Sequence, residues 1–126
     1  MGFSSLFNIF FKKNKMIKVL HNNYCSKSRC LLTYLHDKGV AFEIVDIINN
    51  PLGEEEIKSL LSMGISIEEL VRTNEKLFQE KYIRADLPAE GVSILAKNPE
   101  LIQRPIVISG SKAIIARPME RADALL

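Results

Sequence analysis

Tryptophan is absent from this 126-residue chain, and cysteine and histidine occur only twice each. Two cysteines five positions apart do not make a disulfide framework, and two histidines with no CxxC pair exclude the common zinc patterns, so no metal is expected. Aromatic residues make up 7% and the net charge is +2, with no Lys/Arg tract and no aromatic interleaving, which argues against a nucleic-acid partner. No apolar run is long enough to span a bilayer, so no transmembrane segment is expected. The remaining composition, 47% hydrophobic and 25% charged, is that of a globular protein whose length suits one domain and not two. The scarcity of cysteine fits a reducing, cytoplasmic setting.

Residues 1–15 differ from the rest of the chain, with four Phe and then three Lys. A secretory signal would carry its positive charge before the apolar run, and the myristoylation pattern fails because Leu6 stands where Ser or Thr is needed. Three readings of this leader stay open: it is extraneous and Met16 is the real start, it is a short helix docked on the domain, or it is a weak interfacial anchor. Residues 16–126 are expected to form the single domain.

From Met16 the apolar run to Leu20 reads as a strand. Leu31, Leu32, Tyr34 and Leu35 mark one face of a helix that Gly39 ends. Phe42–Ile47 is a second strand, and Glu54–Ser62 a helix with acidic residues in its first turn and Gly64 as its stop. Ser66-Ile67-Glu68-Glu69 is a capping box, expected to open a helix carrying Leu70, Val71 and Arg72. A short helical piece over Leu77–Ile83 comes next, then a helix opened by Pro88 and ended by Asn98-Pro99. Ile106–Ser109 and Ala113–Ala116 read as a hairpin, and Met119–Leu126 as a closing helix. Strand-helix-strand implies a parallel pair, and the hairpin adds an antiparallel one. The expected fold is thus a thioredoxin-like α/β sandwich with a mixed sheet and a helical insertion over residues 53–98.

In this order Cys25 falls on the turn between the first strand and the first helix, where open α/β sheets usually bind ligands. A lone cysteine is more often a small buried hydrophobe. At a helix N-terminus, however, unpaired N–H groups and the helix dipole favour a thiolate. Ser26 and Ser28 are candidate caps for that helix, and Lys27, Arg29 and His21 add positive or hydrogen-bonding groups. His21 either stabilises the thiolate or shapes the pocket as a structural residue. Arg104 and Arg117 each precede a proline at a strand end, which holds them extended and aimed off the sheet, and Arg72 lies in the insertion. Arginine offers a planar fork that matches tetrahedral oxyanions.

Several separate motifs carry a resemblance. They are His21-Asn22-x-x-Cys25-Ser26-Lys27-Ser28-Arg29, Met63-Gly64-Ile65-Ser66 with Leu70-Val71-Arg72-Thr73-Asn74-Glu75, Asn98-Pro99-Glu100-Leu101-Ile102, Arg104-Pro105-Ile106-Val107-Ile108 and Ala116-Arg117-Pro118. With these the chain resembles the glutaredoxin-dependent arsenate reductases over Met16 to Leu126. The resemblance implies a thioredoxin fold with a cis Arg104–Pro105 bond, Cys25 as nucleophile, and Arg72, Arg104 and Arg117 as the oxyanion-binding triad, supported by His21 and Ser28. It further implies reduction of arsenate to arsenite with glutathione as co-substrate and glutaredoxin as partner, and no bound cofactor. Asn23 stands where many members carry proline, and Cys30 is an additional cysteine. Five helical positions put Cys25 and Cys30 roughly 8 Å apart, beyond disulfide reach unless the first turn unwinds, so Cys30 is expected to pack beside Tyr34, with a resolving role as the lesser alternative. Two alternatives remain: a thiol-redox enzyme acting on glutathione mixed disulfides, and a redox-responsive transcription regulator that binds RNA polymerase.

Overall fold

The computed structural model describes residues 17–126; the leader, and Met16 of the first expected strand, lie outside the described residues. Strands β1 (Ile17–His21), β2 (Phe42–Asp46), β3 (Ile106–Ser109) and β4 (Lys112–Ile115) form one sheet in the order β2-β1-β3-β4. β1 pairs parallel with β2 and antiparallel with β3, and β3 pairs antiparallel with β4, so the sheet is mixed as expected. All five residues of β1 are buried, because a central strand has both faces covered.

Period-two alternation divides the core between those faces. Ile17, Val19 and Val107 join Leu31 and Leu35 of helix α1 (Ser26–Asp37) and Ala122 near the C-terminus. Leu20, Ile106 and Ile108 point the other way, into a larger cluster with the insertion. That insertion contains α2 (Glu54–Ser62), α3 (Ile67–Leu70), α4 (Lys76–Lys81), α5 (Leu87–Lys97) and a 3-10 turn at Pro99–Leu101. Ile57 and Leu60 of α2, Leu70 of α3, Leu95 of α5 and Leu101 are fully buried there, each worth roughly 1.5–3 kcal/mol relative to exposure.

Local signals end the helices where the sequence places them. Gly39 and Gly64 follow α1 and α2 with φ of +71° and +110°, a region that a side chain would disfavour. The Ser66 hydroxyl accepts from the Glu69 N–H, and the Glu69 carboxylate accepts from the Ser66 N–H, which completes the capping box of α3. Two expectations need correction. α3 stops at Leu70, so Arg72 is not on a helix: the next residue, Val71, pairs instead with Ile102 in an antiparallel bridge. The closing helix is 3-10 in form over Met119–Leu125. Among the described residues no helix is long and apolar enough to cross a membrane.

Candidate active site

The turn from β1 into α1 is organised by Asn22, a buried residue. Its carbonyl accepts from the Cys25 N–H at 3.0 Å, and its Oδ1 accepts from the Tyr24 N–H at 2.9 Å in an Asx turn. This fold of the loop makes Cys25 itself the N-cap of α1, in extended conformation with φ −104° and ψ 121°. At an N-cap a side-chain oxygen usually accepts from the second or third helical N–H. Here no side-chain hydrogen bond caps the helix, but the N–H groups of Lys27 and Ser28 act on the sulfur electrostatically and favour its charged form. Ser26 and Ser28 therefore do not cap the helix, contrary to expectation. Ser28 is fully buried, and its hydroxyl lies between the Asn22 N–H, at 3.5 Å, and the Cys25 sulfur.

The thiol titrates accordingly. Burial pushes it up, but the Ser28 N–H, the Arg104 side chain, the Lys27 N–H and the Ser28 hydroxyl outweigh burial and bring it from 9.0 down to about 7. Arg29, expected near the thiolate, instead donates from Nη1 to the Asn23 carbonyl at 2.8 Å and braces the loop. His21 is 4% exposed at the end of β1, with Nε2 3.4 Å from Asn23 Oδ1 and with Nδ1 buried without a partner among the described residues. That places it beneath the loop.

The three arginines converge because distant segments are stitched together. The Arg72 N–H donates to the Leu101 carbonyl and the Gln103 N–H to the Leu70 carbonyl, both at 2.8 Å, which clamps the chain beyond α3 against the segment leading into β3. Arg104 opens that strand and Arg117 follows its hairpin partner β4, so an antiparallel pair brings the two side by side. Both Arg104–Pro105 and Arg117–Pro118 are cis. Arg72 Nη1 and Arg104 Nη1 donate to one carbonyl, that of Glu100, at 3.2 and 2.9 Å. Arg117 Nη1 donates to the Arg104 carbonyl at 3.3 Å and lies 3.5 Å from Gln103 Oε1. Glu75 pairs with Arg72 Nη2 at 3.3 Å.

Mutual repulsion within this cluster registers on Arg72. Burial, then the charge of Arg104 and, more weakly, that of Arg117 lower its proton affinity, while Glu75 and the Cys25 sulfur oppose them. All four site groups thus share one electrostatic environment, as only close placement produces. Arg104 Nε is buried without a partner among the described residues, while its guanidinium faces the sulfur. The arrangement can hold an anion against a nucleophilic thiolate, with fixed donors aimed where negative charge accumulates.

Sequence reasoning overlooked the Glu100 carbonyl and Gln103, which orient the arginines, and the Lys27 and Ser28 N–H groups. The recognisable signal for the first two was the Asn98–Ile102 motif leading directly into Arg104. Cys30 is also placed differently: it is exposed, off the buried stripe of Ser28, Leu31 and Leu35, and Tyr34 turns its hydroxyl to Asp123 at 2.8 and 3.0 Å.

The chain is similar to several known proteins. An arsenate reductase of Neisseria meningitidis serogroup A is 33% identical over 114 residues, covering 87% of this chain and 97% of the relative. An uncharacterised protein of Escherichia coli K12 is 38% identical over 111 residues, covering 85% and 93%. The solved structure of an arsenate reductase from Vibrio cholerae superposes with a TM-score of 0.78 at 30% identity, covering 90% of this chain and 100% of that one. The profile of the ArsC family matches residues 20–125, and the chain belongs to that family, with its thioredoxin-like fold.

Proposed function

We propose that this protein reduces arsenate to arsenite, with Cys25 as nucleophile and glutathione and glutaredoxin as the source of electrons. The observation that carries the reading is a thiolate at the N-terminus of α1, its pKa lowered to about 7, beside three guanidinium groups. Three guanidinium groups converging beside the sulfur match the charged oxygens of a tetrahedral oxyanion, whereas a disulfide carries no charge at its reacting atoms, which favours arsenate over glutathione mixed disulfides as substrate.

The arginines bind arsenate with its arsenic facing the sulfur. The thiolate forms an S–As bond, and one arsenic-bound oxygen takes up protons and leaves as water, with no change in oxidation state. Arg72, Arg104 and Arg117 neutralise charge that gathers on the remaining oxygens during attack. The thiol of glutathione then displaces a second oxygen as water, again without redox change. A glutaredoxin thiolate attacks the glutathione sulfur, a new S–S bond forms, and the electron pair of the broken As–S bond stays on arsenic, which passes from +5 to +3. Hydrolysis of the last S–As bond releases arsenite and returns the Cys25 thiol. An external thiol is needed because the chain has no CxxC pair with which to expel product as its own disulfide. Free thiols of this kind are maintained in a reducing cytoplasm, where we place the reaction.

The test is a coupled assay of purified protein with arsenate, glutathione, glutaredoxin and a glutathione-reducing system. Arsenate-dependent turnover that disappears in Cys25→Ser supports the proposal. Turnover that survives Cys25→Ser, or that proceeds with glutathione mixed disulfides and not with arsenate, refutes it.

A further inference from the structure

We propose that Glu75 makes the guanidinium site selective for tetrahedral oxyanions that carry a hydroxyl, such as arsenate and phosphate, over sulfate, which carries none near neutral pH. The ligand's place beside Arg72 rests on the arsenate reading above; its binding is measured without turnover.

The Glu75 carboxylate is committed to the arginines and not to its own helix. Glu75 is the N-cap of α4, yet its side chain makes no capping hydrogen bond there. Its Oε2 lies instead 3.3 Å from Arg72 Nη2. The turn that carries it is held twice: the Glu75 N–H donates to the Arg72 carbonyl at 3.1 Å, and Gln79 Nε2 donates to the Thr73 carbonyl at 2.7 Å. A negative charge is thereby fixed at the edge of a cluster otherwise built from cations, where it cancels part of the attraction for any anion. Arg72 Nη1 is engaged by the Glu100 carbonyl and Nη2 by Glu75, and a guanidinium has further N–H groups to offer. An oxyanion held by those lies beside the Glu75 carboxylate.

An ionised carboxylate only accepts hydrogen bonds. Against a protonated ligand oxygen it makes a charge-assisted bond that guanidinium groups, which only donate, cannot make. Against a bare ligand oxygen it sets one lone pair facing another, and like charges repel. Arsenate and phosphate keep at least one hydroxyl through the neutral range, whereas sulfate is fully deprotonated. Charge and shape do not separate them, because in mildly alkaline solution hydrogen phosphate and sulfate are both tetrahedral dianions. The proton is what differs, and Glu75 is the acceptor placed to read it.

The experiment is calorimetric titration of the wild-type protein and of Glu75→Gln with inorganic phosphate, sulfate and fluorophosphate, in mildly alkaline buffer at fixed ionic strength. Fluorophosphate is a tetrahedral phosphorus dianion with no hydroxyl under these conditions, so it separates the effect of the proton from that of the central atom. The wild type should bind phosphate about five- to tenfold more tightly than either hydroxyl-free ion, the worth of a charge-assisted hydrogen bond reduced by the solvent that reaches Glu75. Glu75→Gln, whose amide both donates and accepts, should tighten sulfate and fluorophosphate and bring all three ions within about twofold of one another. Fluorophosphate bound as tightly as phosphate by the wild type, or a phosphate-to-sulfate ratio that Glu75→Gln leaves unchanged, overturns the assignment. The second of these is what a merely structural partner of Arg72 would give. A ratio that collapses in Glu75→Gln, in a protein that turns over no arsenate in the coupled assay, would instead sink the reductase reading and leave the selectivity of Glu75 standing.

Discussion

Replacing Arg104 by methionine removes the guanidinium from the sulfur while keeping an unbranched side chain of similar length. With a pKa of about 7 the wild-type thiol is about half ionised at pH 7, whereas an ordinary value of 9.0 would leave about 1%. A hydrogen bond to a charged group is worth about 1.5–3 kcal/mol, and solvent access to Cys25 reduces that by about half. At 1.36 kcal/mol per unit, Arg104→Met should raise the thiol pKa by about one unit, and alkylation at pH 7 should slow about fivefold. The assay is the pH dependence of alkylation and of ultraviolet thiolate absorbance, run in a Cys30→Ser background so that one thiol reports. Arg84→Gln, on the exposed surface of the insertion, is the control and should leave the inflection in place. A wild-type inflection near 9, or an inflection unmoved by Arg104→Met, would refute the account of how this thiol is activated.

Three further outcomes are expected from the same structure. Because the folded thiol pKa lies below the unfolded one, the native state binds fewer protons between about 7 and 9.0, and folding gains stability as pH rises. The unfolding free energy of the wild type minus that of Cys25→Ser should therefore increase from pH 7 to pH 9, and a difference that is flat or falls would contradict it. In Gly91→Ala, a Cβ on α5 would stand 2.5 Å from Ile67 Cγ1 on α3. Overpacking of about 1–3 kcal/mol exceeds the helix gain of about 1 kcal/mol, so urea denaturation should show a net loss of about 1 kcal/mol, and a stabilised variant would be the contrary result. Leu101→Ala, at a fully buried side chain whose carbonyl holds the Arg72 N–H, should cost about 2–5 kcal/mol by the same method. A cost under about 1 kcal/mol would show that this joint is not packed as described.

What the sequence disclosed was mainly what is decided locally. The bounds of α2, the capping box at Ser66, the glycine stops at Gly39 and Gly64 and the Pro88 start of α5 each depend on a few neighbouring residues. The order strand-helix-strand followed by a hairpin likewise implied the mixed sheet. Arg72 was misplaced on a helix because Val71 bridges to Ile102 and the Arg72 N–H bonds the Leu101 carbonyl, partners far along the chain that end α3 early. The cap was misread for a related reason. Serine is the usual capping residue, yet Asn22 fixes the turn so that Cys25, and not a neighbouring serine, takes the N-cap position. Cys30 was expected to pack beside Tyr34, whereas Lys38 and Asp123 engage that tyrosine and the thiol is exposed.

The central claim, a sulfur anion facing an oxyanion site assembled from Arg72, Arg104 and Arg117, is tested most directly by a crystal structure of the protein soaked with arsenate in the absence of reductant. Arsenic bonded to the sulfur of Cys25, with its oxygens within hydrogen-bond reach of all three guanidinium groups, is the predicted result. Arsenic bound elsewhere, or bonded to that sulfur with those groups turned away, would contradict it.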